Sequence, residues 1–307
     1  MPLISLNGKI VPARDAVVSA MDRGFLFGDA VYEVIKVDRG VPLFLRHHLA
    51  RLANSLEQAR IPSPPGLVRE VLRYLEATKG GSGSLYLEIS RGAHPRSHLP
   101  PAGLKPTVML FLQDYHFHSA SEREKGFGLH AMRDIRWHRC DIKATSLMGA
   151  ILCKLEARDR GADEVVFHDA RGRFTEAGST NFYAVRDATV FTHPLGGAIL
   201  KGVTRTLLKT VAREEGIRWS ERAPRLAEIG SWDEAFVSGT LTGVMPVATM
   251  DGRRVGRGMG PVTRRLLAGF ERKETEDFRA WPEERAEFQK RDQGQFKVQS
   301  VKLKIGK

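Results

Sequence analysis

The stretch EVVFHDARGRFTEAGSTNFYAVRDATVFTH, residues 164–193, constrains the fold most. Short apolar, β-branched and aromatic runs follow one another, with only brief Asp, Gly, Arg, Ser and Asn segments between them. That is the pattern of short strands joined by hairpin-like turns. The rest of this half alternates in the same way. GLHAMRDI (128–135), EAFVSG (234–239) and MPVATMDGRRV (245–255) read as strands. A helix with Leu147, Ile151 and Leu155 on one face ends before Gly161. GVTRTLLKTVAREEG (202–216) puts Val203, Leu207, Leu208 and Val211 on one side of another helix, and PVTRRLLAGFERK (261–273) closes with a third. Strands outnumber helices and turns are tight, so the reading is a mixed sheet or barrel rather than a parallel doubly wound sheet.

The first part of the chain is a smaller mixture of both element types. Asn7-Gly8 in ISLNGKIVP predicts a hairpin. DAVYEVIKVDRGVPLFL predicts two strands turning at Asp38-Arg39-Gly40. Leu49, Leu52, Ala53 and Leu56 fall at helical spacing before Pro62, and GLVREVLRYLEATKGG is a second helix ending in Gly80-Gly81. LYLEISRG and TVMLFLQ return to strands. The polar segment DYHFHSASEREKG separates the halves. The fold class is therefore α+β (mixed α/β). The domains are a small α/β domain over 1–115, a linker over 116–122 and a large domain over 123–272. A charged tail over 273–307 is expected to be loosely attached, with a terminal strand in FKVQSVKLKI (296–305).

Composition narrows the function classes. At 307 residues, 42% hydrophobic and 27% charged, the chain can build a substantial core. Its net charge of +12 raises nucleic acid as a partner. The charge is dispersed, however, and no nucleic-acid-binding motif accompanies it, so nucleic acid is not expected. No run approaches the roughly 18 apolar residues of a membrane span. The start carries no secretory pattern, and Cys140 and Cys153 suit a reducing compartment, so a cytoplasmic protein is expected. The histidines show no metal-ligand spacing, so no metal is expected. The Gly-rich KGGSGS (79–84) lacks the features of a phosphate loop and reads as a turn.

Four segments carry chemistry. HRCDIKATS (138–146) holds Lys143, with the cations Arg136, His138 and Arg139 just upstream. GRFTEAGSTNFYAV holds Glu176 after an apolar strand. ILKGVTRTLL delivers Val203 and Thr204 at a helix start, where free N–H groups and the helix dipole attract a phosphate. VSGTLTG places Thr240 in a hydroxyl-rich turn at a strand end. Alone, Lys143 and Glu176 read as well as surface charges, the helix start reads better as an ordinary Thr-capped helix, and the hydroxyl-rich turn is a weak signal.

In this order, with MDRGFLFGDAVYEVIKV and RHHLARL ahead of them, these segments resemble the fold-type IV enzymes that use pyridoxal 5'-phosphate. Those are the branched-chain aminotransferases, D-amino-acid aminotransferases and aminodeoxychorismate lyases. The resemblance covers about residues 1–272. It implies a two-domain fold with a small N-terminal α/β domain and a larger barrel-like mixed-sheet domain. It implies Lys143 as the covalent cofactor lysine and proton carrier, Glu176 at the ring nitrogen, and Arg51, Val203, Thr204 and Thr240 around the phosphate. Cationic or apolar neighbours favour the neutral amine that such a lysine needs, and a carboxylate keeps the ring nitrogen protonated.

SRGAHPRSHLPP, with Arg96 and His98, is similar to the D-amino-acid aminotransferases. It implies that Arg96, His98 and Tyr32 capture the substrate carboxylate, with Glu33 and Lys36 also at the substrate. A homodimer follows, since in that subgroup the Arg–His loop serves the partner subunit. The implied activity is transfer of the amino group of a D-amino acid, D-alanine-like, to a 2-oxo acid such as 2-oxoglutarate. The alternative is an L-branched-chain aminotransferase or aminodeoxychorismate lyase on the same fold. The sequence departs from that pattern at Gly243 and Met245, where relatives usually carry Glu and Thr. It also departs at Ser146, where Asn is usual, and at Ala30, a common Gly.

Overall fold

The computed structural model describes residues 2–292. Two compact units divide them. Residues 2–116, 142–146 and 274–292 form the first, and residues 117–141 and 147–273 the second.

The first unit is built on a six-stranded antiparallel sheet. β1 (Leu3–Leu6) and β2 (Lys9–Pro12) form the hairpin that Asn7-Gly8 predicts, and both turn residues have positive φ, as a two-residue turn needs. The short helix α1 (Arg23–Phe27) is capped by the Asp22 carboxylate and ends at left-handed Gly28. β3 (Ala30–Asp38), β4 (Val41–Pro42), helices α2 (Leu45–Gln58) and α3 (Leu67–Ala77), then β5 (Gly83–Ser90) and β6 (Thr107–Gln113) complete it. The strand order is β2-β1-β6-β5-β3-β4. Along β3, Val31, Glu33, Ile35 and Val37 are fully buried, while Tyr32, Val34 and Lys36 point to the other face. β4 pairs only with Val37 and Asp38, at the far end of β3. Beside the start of β3 run residues 142–146: Tyr32 N donates to Lys143 O at 3.0 Å and Thr145 N to Ala30 O at 3.1 Å. The segment around Lys143 is this short crossing and no strand in its own right.

The second unit is organised by a closed ring of strands. Its elements are α4 (Ala120–Lys125), β7 (Phe127–Arg133), α5 (Met148–Asp159), β8 (Glu164–His168), β9 (Phe174–Ala177), β10 (Asn181–Arg186) and β11 (Thr189–Thr192). They continue with α6 (Val203–Glu214), β12 (Arg218–Ser220), β13 (Glu234–Gly239), β14 (Gly243–Met250), β15 (Arg253–Arg254) and the first part of α7 (Pro261–Asp292), whose residues from 274 on belong to the first unit. β10, β13, β14, β7, β8 and β9 neighbour one another in turn, and β9 pairs back onto β10. The closing pair is Glu176 opposite Asn181. β7 runs parallel to β8 and β14, while the other ring pairings are antiparallel, so this is the mixed, barrel-like sheet the hairpin pattern predicts. Phe174, Phe182 and Trp232 share its core with Val237, Met245 and Val247, with Phe174 and Phe182 ring centroids 5.0 Å apart.

Three expectations are corrected here. The segment read as a linker contains α4, which opens with a Ser119/Glu122 capping box. Helix α5 buries Ala150, Cys153 and Ala157, whereas Leu147, Ile151 and Leu155 are exposed. The tail is not loose over its described part: α7 runs on through Pro282 to Asp292, and Trp281 and Phe288 are buried. The strand expected at 296–305 lies outside the described residues. Among those residues, no helix is long and apolar enough to cross a membrane.

Candidate active site

In the first unit, Lys143 is half-buried, with Nζ 4.1 Å from the centre of the Tyr32 ring. An ammonium over a π-face is attracted to it. Ser55 Oγ, wholly buried on α2, accepts from Lys143 N at 3.2 Å, and this bond and the β3 crossing fix the lysine's backbone. Tyr32 stacks on Tyr86 of β5 at 5.5 Å, and Tyr86 on Phe111 of β6 at 4.9 Å. Burial pushes the Tyr86 phenol up, and its hydroxyl donates to Glu88 at 2.6 Å.

Glu33, expected at the substrate, has no exposed surface. Its carboxylate takes a two-point fork from Arg51, Nε to Oε1 and Nη2 to Oε2, both at 2.7 Å. His48 Nδ1 meets Oε2 at 2.7 Å. Burial opposes ionisation, but Arg51 and His48 outweigh it and bring the carboxyl down to about 2. An ionised carboxylate only accepts, so His48 Nδ1 carries the proton in this contact. Burial holds the imidazole below its usual range, which keeps it neutral and makes Nε2 an acceptor. That Nε2 is buried without a hydrogen-bond partner in the structure. Glu33 thus fixes Arg51 and His48, a helical turn apart, in one orientation. Lys36 lies on the Tyr32 face of β3 and is bound by Glu274 Oε1 and Oε2 at 2.8 and 3.0 Å.

Arg96 and His98 sit on an exposed loop after β5 and flank Phe27, at 5.3 Å for the guanidinium and 5.7 Å between rings. Buried Arg23 holds this loop by donating to Ser97 O at 2.5 Å and His98 O at 3.1 Å, while Asp29 fixes Arg23 Nε at 2.8 Å. Two departures from the resemblance also find contacts here. Ser146 Oγ donates to Gly28 O at 3.1 Å, and Ala30 is buried where β3 begins.

In the second unit, Glu176 is buried at the barrel's closing pair. Oε1 accepts from Arg136 Nη1 at 2.7 Å; Oε2 accepts from Asn181 Nδ2 at 3.0 Å and from Leu200 N at 2.9 Å. Burial pushes this carboxyl up; Arg136 and the Leu200 N–H pull it down without cancelling the rise. Asp134 binds Arg136 Nε and Nη2 at 3.0 and 2.8 Å, and Thr175 donates to Asp134 at 3.0 Å. Helix α6 begins at Gly202 with no capping side chain, leaving the first N–H groups, at buried Val203 and Thr204, uncapped. A Cβ at Gly202 would sit 2.1 Å from Asn181 Oδ1, so glycine is required where the two meet. Thr240 is half-buried after β13, and the buried hydroxyl of Thr180 has no partner. Gly243 has φ 65° and lies against the Arg123 guanidinium, so a Glu there would be strained and crowded. Met245 is fully buried in the barrel core.

The structure therefore brings Lys143 to Tyr32, and Glu33 to Arg51, within the first unit. In the second unit Glu176, Val203, Thr204 and Thr240 stand by themselves in the geometry described. Arg136, His48 and Arg23 carry parts of these sites that their local sequence does not announce. Asn181 was signalled only by its place in the Glu176 motif.

Residues 30–250 match the family described as amino-transferase class IV. The D-alanine aminotransferase of Staphylococcus epidermidis is 36% identical over 278 residues, 89% of this chain and 98% of that protein. The branched-chain amino acid aminotransferase of Escherichia coli superposes with a TM-score of 0.80 at 28% identity, covering 88% of this chain and 93% of that one. The branched-chain aminotransferase of the archaeon Thermoproteus uzoniensis, solved with norvaline, superposes with a TM-score of 0.80 at 26% identity, covering 91% and 97%. This chain belongs to the class IV aminotransferases, enzymes that move an amino group between an amino acid and a 2-oxo acid.

Proposed function

We propose that the protein is a pyridoxal 5'-phosphate-dependent aminotransferase acting on D-amino acids, with a D-alanine-like donor and a 2-oxo acid such as 2-oxoglutarate as acceptor. The observation that carries the reading is Lys143 Nζ poised 4.1 Å over the Tyr32 ring. The similarity to D-alanine aminotransferases across most of the chain supports the choice of substrate.

The donor set fits the cofactor by its chemistry. An amine suited to covalent attachment, a buried carboxylate for a ring nitrogen, an uncapped helix start and a fixed guanidinium for a phosphate are all present. Lys143 would hold it covalently, Glu176 would bind the ring nitrogen, and Arg51, Val203, Thr204 and Thr240 would hold the phosphate. When bound, pyridoxal 5'-phosphate supplies an electron sink for the pair released from the substrate Cα–H bond. Lys143 Nζ would take that proton as general base and deliver it to the cofactor's C4' carbon within the same half of the transfer, and would carry a proton the opposite way when the 2-oxo acid receives the amino group. Glu176, whose carboxyl burial holds above its usual range despite Arg136, would gain in the ring nitrogen the further cation that favours its ionised form, and would in turn keep that nitrogen protonated. Tyr32, Arg96 and His98 orient the substrate carboxylate. Glu33 serves indirectly, by holding Arg51. The reading includes a homodimer in the cytoplasm, and the buried free thiols Cys140 and Cys153 suit a reducing compartment.

The test is amino transfer from each enantiomer of alanine, glutamate, leucine and valine. D-Alanine turnover with visible cofactor absorbance, both lost in Lys143→Ala, is the expected result. Preference for L-leucine or L-valine would instead establish the branched-chain alternative. Pyruvate release from aminodeoxychorismate without net amino transfer would establish the lyase.

A further inference from the structure

Lys36 and Glu274 form a pair whose position gives it more than a structural use. Lys36 shares a face of β3 with Tyr32, four residues on, so their Cα atoms lie roughly 13 Å apart along the strand. A lysine stem spans about half that distance, enough for Lys36 Nζ to meet the far end of a substrate held at Tyr32 and extending along this face. An uncovered ammonium there would attract a second carboxylate and would be poorly matched to an uncharged side chain.

Both oxygens of Glu274 lie on that ammonium, at 2.8 and 3.0 Å, and the two side chains are only 22% and 18% exposed. Glu274 is not placed by Lys36 alone. Its helix α7 is fastened to the same unit at several further points. Asp277 accepts from Phe44 N at 2.7 Å, Arg46 pairs with Glu284 and Glu287 at 3.3 and 2.6 Å, and Arg285 pairs with Glu76. The carboxylate is therefore presented by a fixed element. Residue 274 lies beyond the family match, which ends at residue 250.

We propose that Glu274 is a specificity-determining residue that acts through Lys36. It neutralises Lys36 when the substrate side chain is uncharged and gives way to the second carboxylate when the substrate is dicarboxylic. One site then accepts both partners of an amino transfer between a small neutral amino acid and a dicarboxylic oxo acid. Glu274 lowers the affinity for the dicarboxylate, because each such substrate must displace it. This rests on the aminotransferase reading and on Lys36 facing the substrate.

The test uses the cofactor-loaded, full-length protein and two unreactive probes, glutarate and butyrate, titrated by calorimetry. Glu274→Gln keeps the shape of the side chain and removes its charge. It should tighten glutarate roughly five- to tenfold, as removing one competing charge in a partly exposed site implies. Butyrate affinity should not improve. The kcat/KM ratio of D-glutamate over D-alanine should rise by a similar factor, carried by KM. In Lys36→Met/Glu274→Gln the gain should vanish. A folded Glu274→Gln protein, judged by its unfolding temperature, with unchanged glutarate affinity would overturn the proposal. So would a gain that survives in the double variant. A glutarate shift in a protein that does not turn over D-amino acids would sustain the role of the pair and refute the D-specific reading instead.

Discussion

Glu33 and Glu176 are two buried carboxylates with opposite fates, and their partners explain why. Glu33 has the Arg51 fork and His48 and is held at about 2. Glu176 shares Arg136 with Asp134, so it receives less compensation and its carboxyl stays above the usual range. An incompletely compensated carboxylate suits a group that must meet a further cation. Arg136→Met removes the cation facing both Glu176 and Asp134. Leaving buried charges unpaired costs about 3–5 kcal/mol, to be read as a loss in denaturant unfolding. Glu176 is then pushed further toward its neutral form, so cofactor affinity measured by absorbance titration should fall, with Arg136→Lys intermediate. Unchanged stability and affinity in Arg136→Met would show that Glu176 stands without it. Lys143 and Glu176 stood out in the sequence as candidates because they sit in ordered motifs. Arg136 was not, because Asp134-x-Arg136 looks the same on a solvated surface as in a buried network. Glu33 was legible only as part of a motif, and its inward direction follows from the pleat of β3.

At the scale of elements, hairpins and amphipathic helices were readable wherever a local rule decided them. Asn7-Gly8 fixes a turn by its backbone conformation, and α6 buries the apolar stripe its spacing shows. Helix α5 defeats the same rule, since it meets β8 through small Cys153 and Ala157 against Val165 and Phe167 and leaves its larger residues outside. Helix α7 defeats composition: its charges looked solvated, yet Glu274, Asp277 and Glu284 meet partners on the first unit. Among these, Asp277 gives a pH signature. Burial, with Glu284 and Glu274 nearby, pushes its carboxyl up to about 7, although Phe44 N–H and Arg46 oppose the rise. The native value exceeds that of the unfolded chain, near 4. The stability contribution is therefore complete below about pH 4 and is lost as pH rises through about 7. Asp277→Asn keeps an acceptor for Phe44 N and cannot ionise. It should melt close to the parent at pH 4–5 and above it at pH 8. Parallel melting curves across that range would mean that Asp277 titrates normally.

At the scale of the whole molecule, the exposed face of α5 calls for a partner. Met148, Ile151, Leu152 and Leu155 are 41–68% exposed along one helix. Gly149 lies against the Arg136 backbone, which brings exposed Ile135 and Trp137 beside them. Contiguous apolar surface of this kind marks an interface. In the homodimer we propose, a two-fold contact would cover it with its own copy. The exposed loop of Arg96 and His98 would then serve the partner's substrate site. Two outcomes follow. Leu152→Glu should halve the mass seen by light scattering and abolish turnover, although it alters neither Lys143 nor Glu176. Mixing is the sharper experiment. Lys143→Ala and Arg96→Ala should each be inactive alone. When the two are unfolded and refolded together, half of the dimers carry one subunit of each kind. In those dimers, one of the two sites combines an intact Lys143 with an intact Arg96 from the other chain, so about a quarter of parental activity returns. If Arg96 instead serves its own subunit, no mixed dimer contains a complete site and the mixture stays inactive.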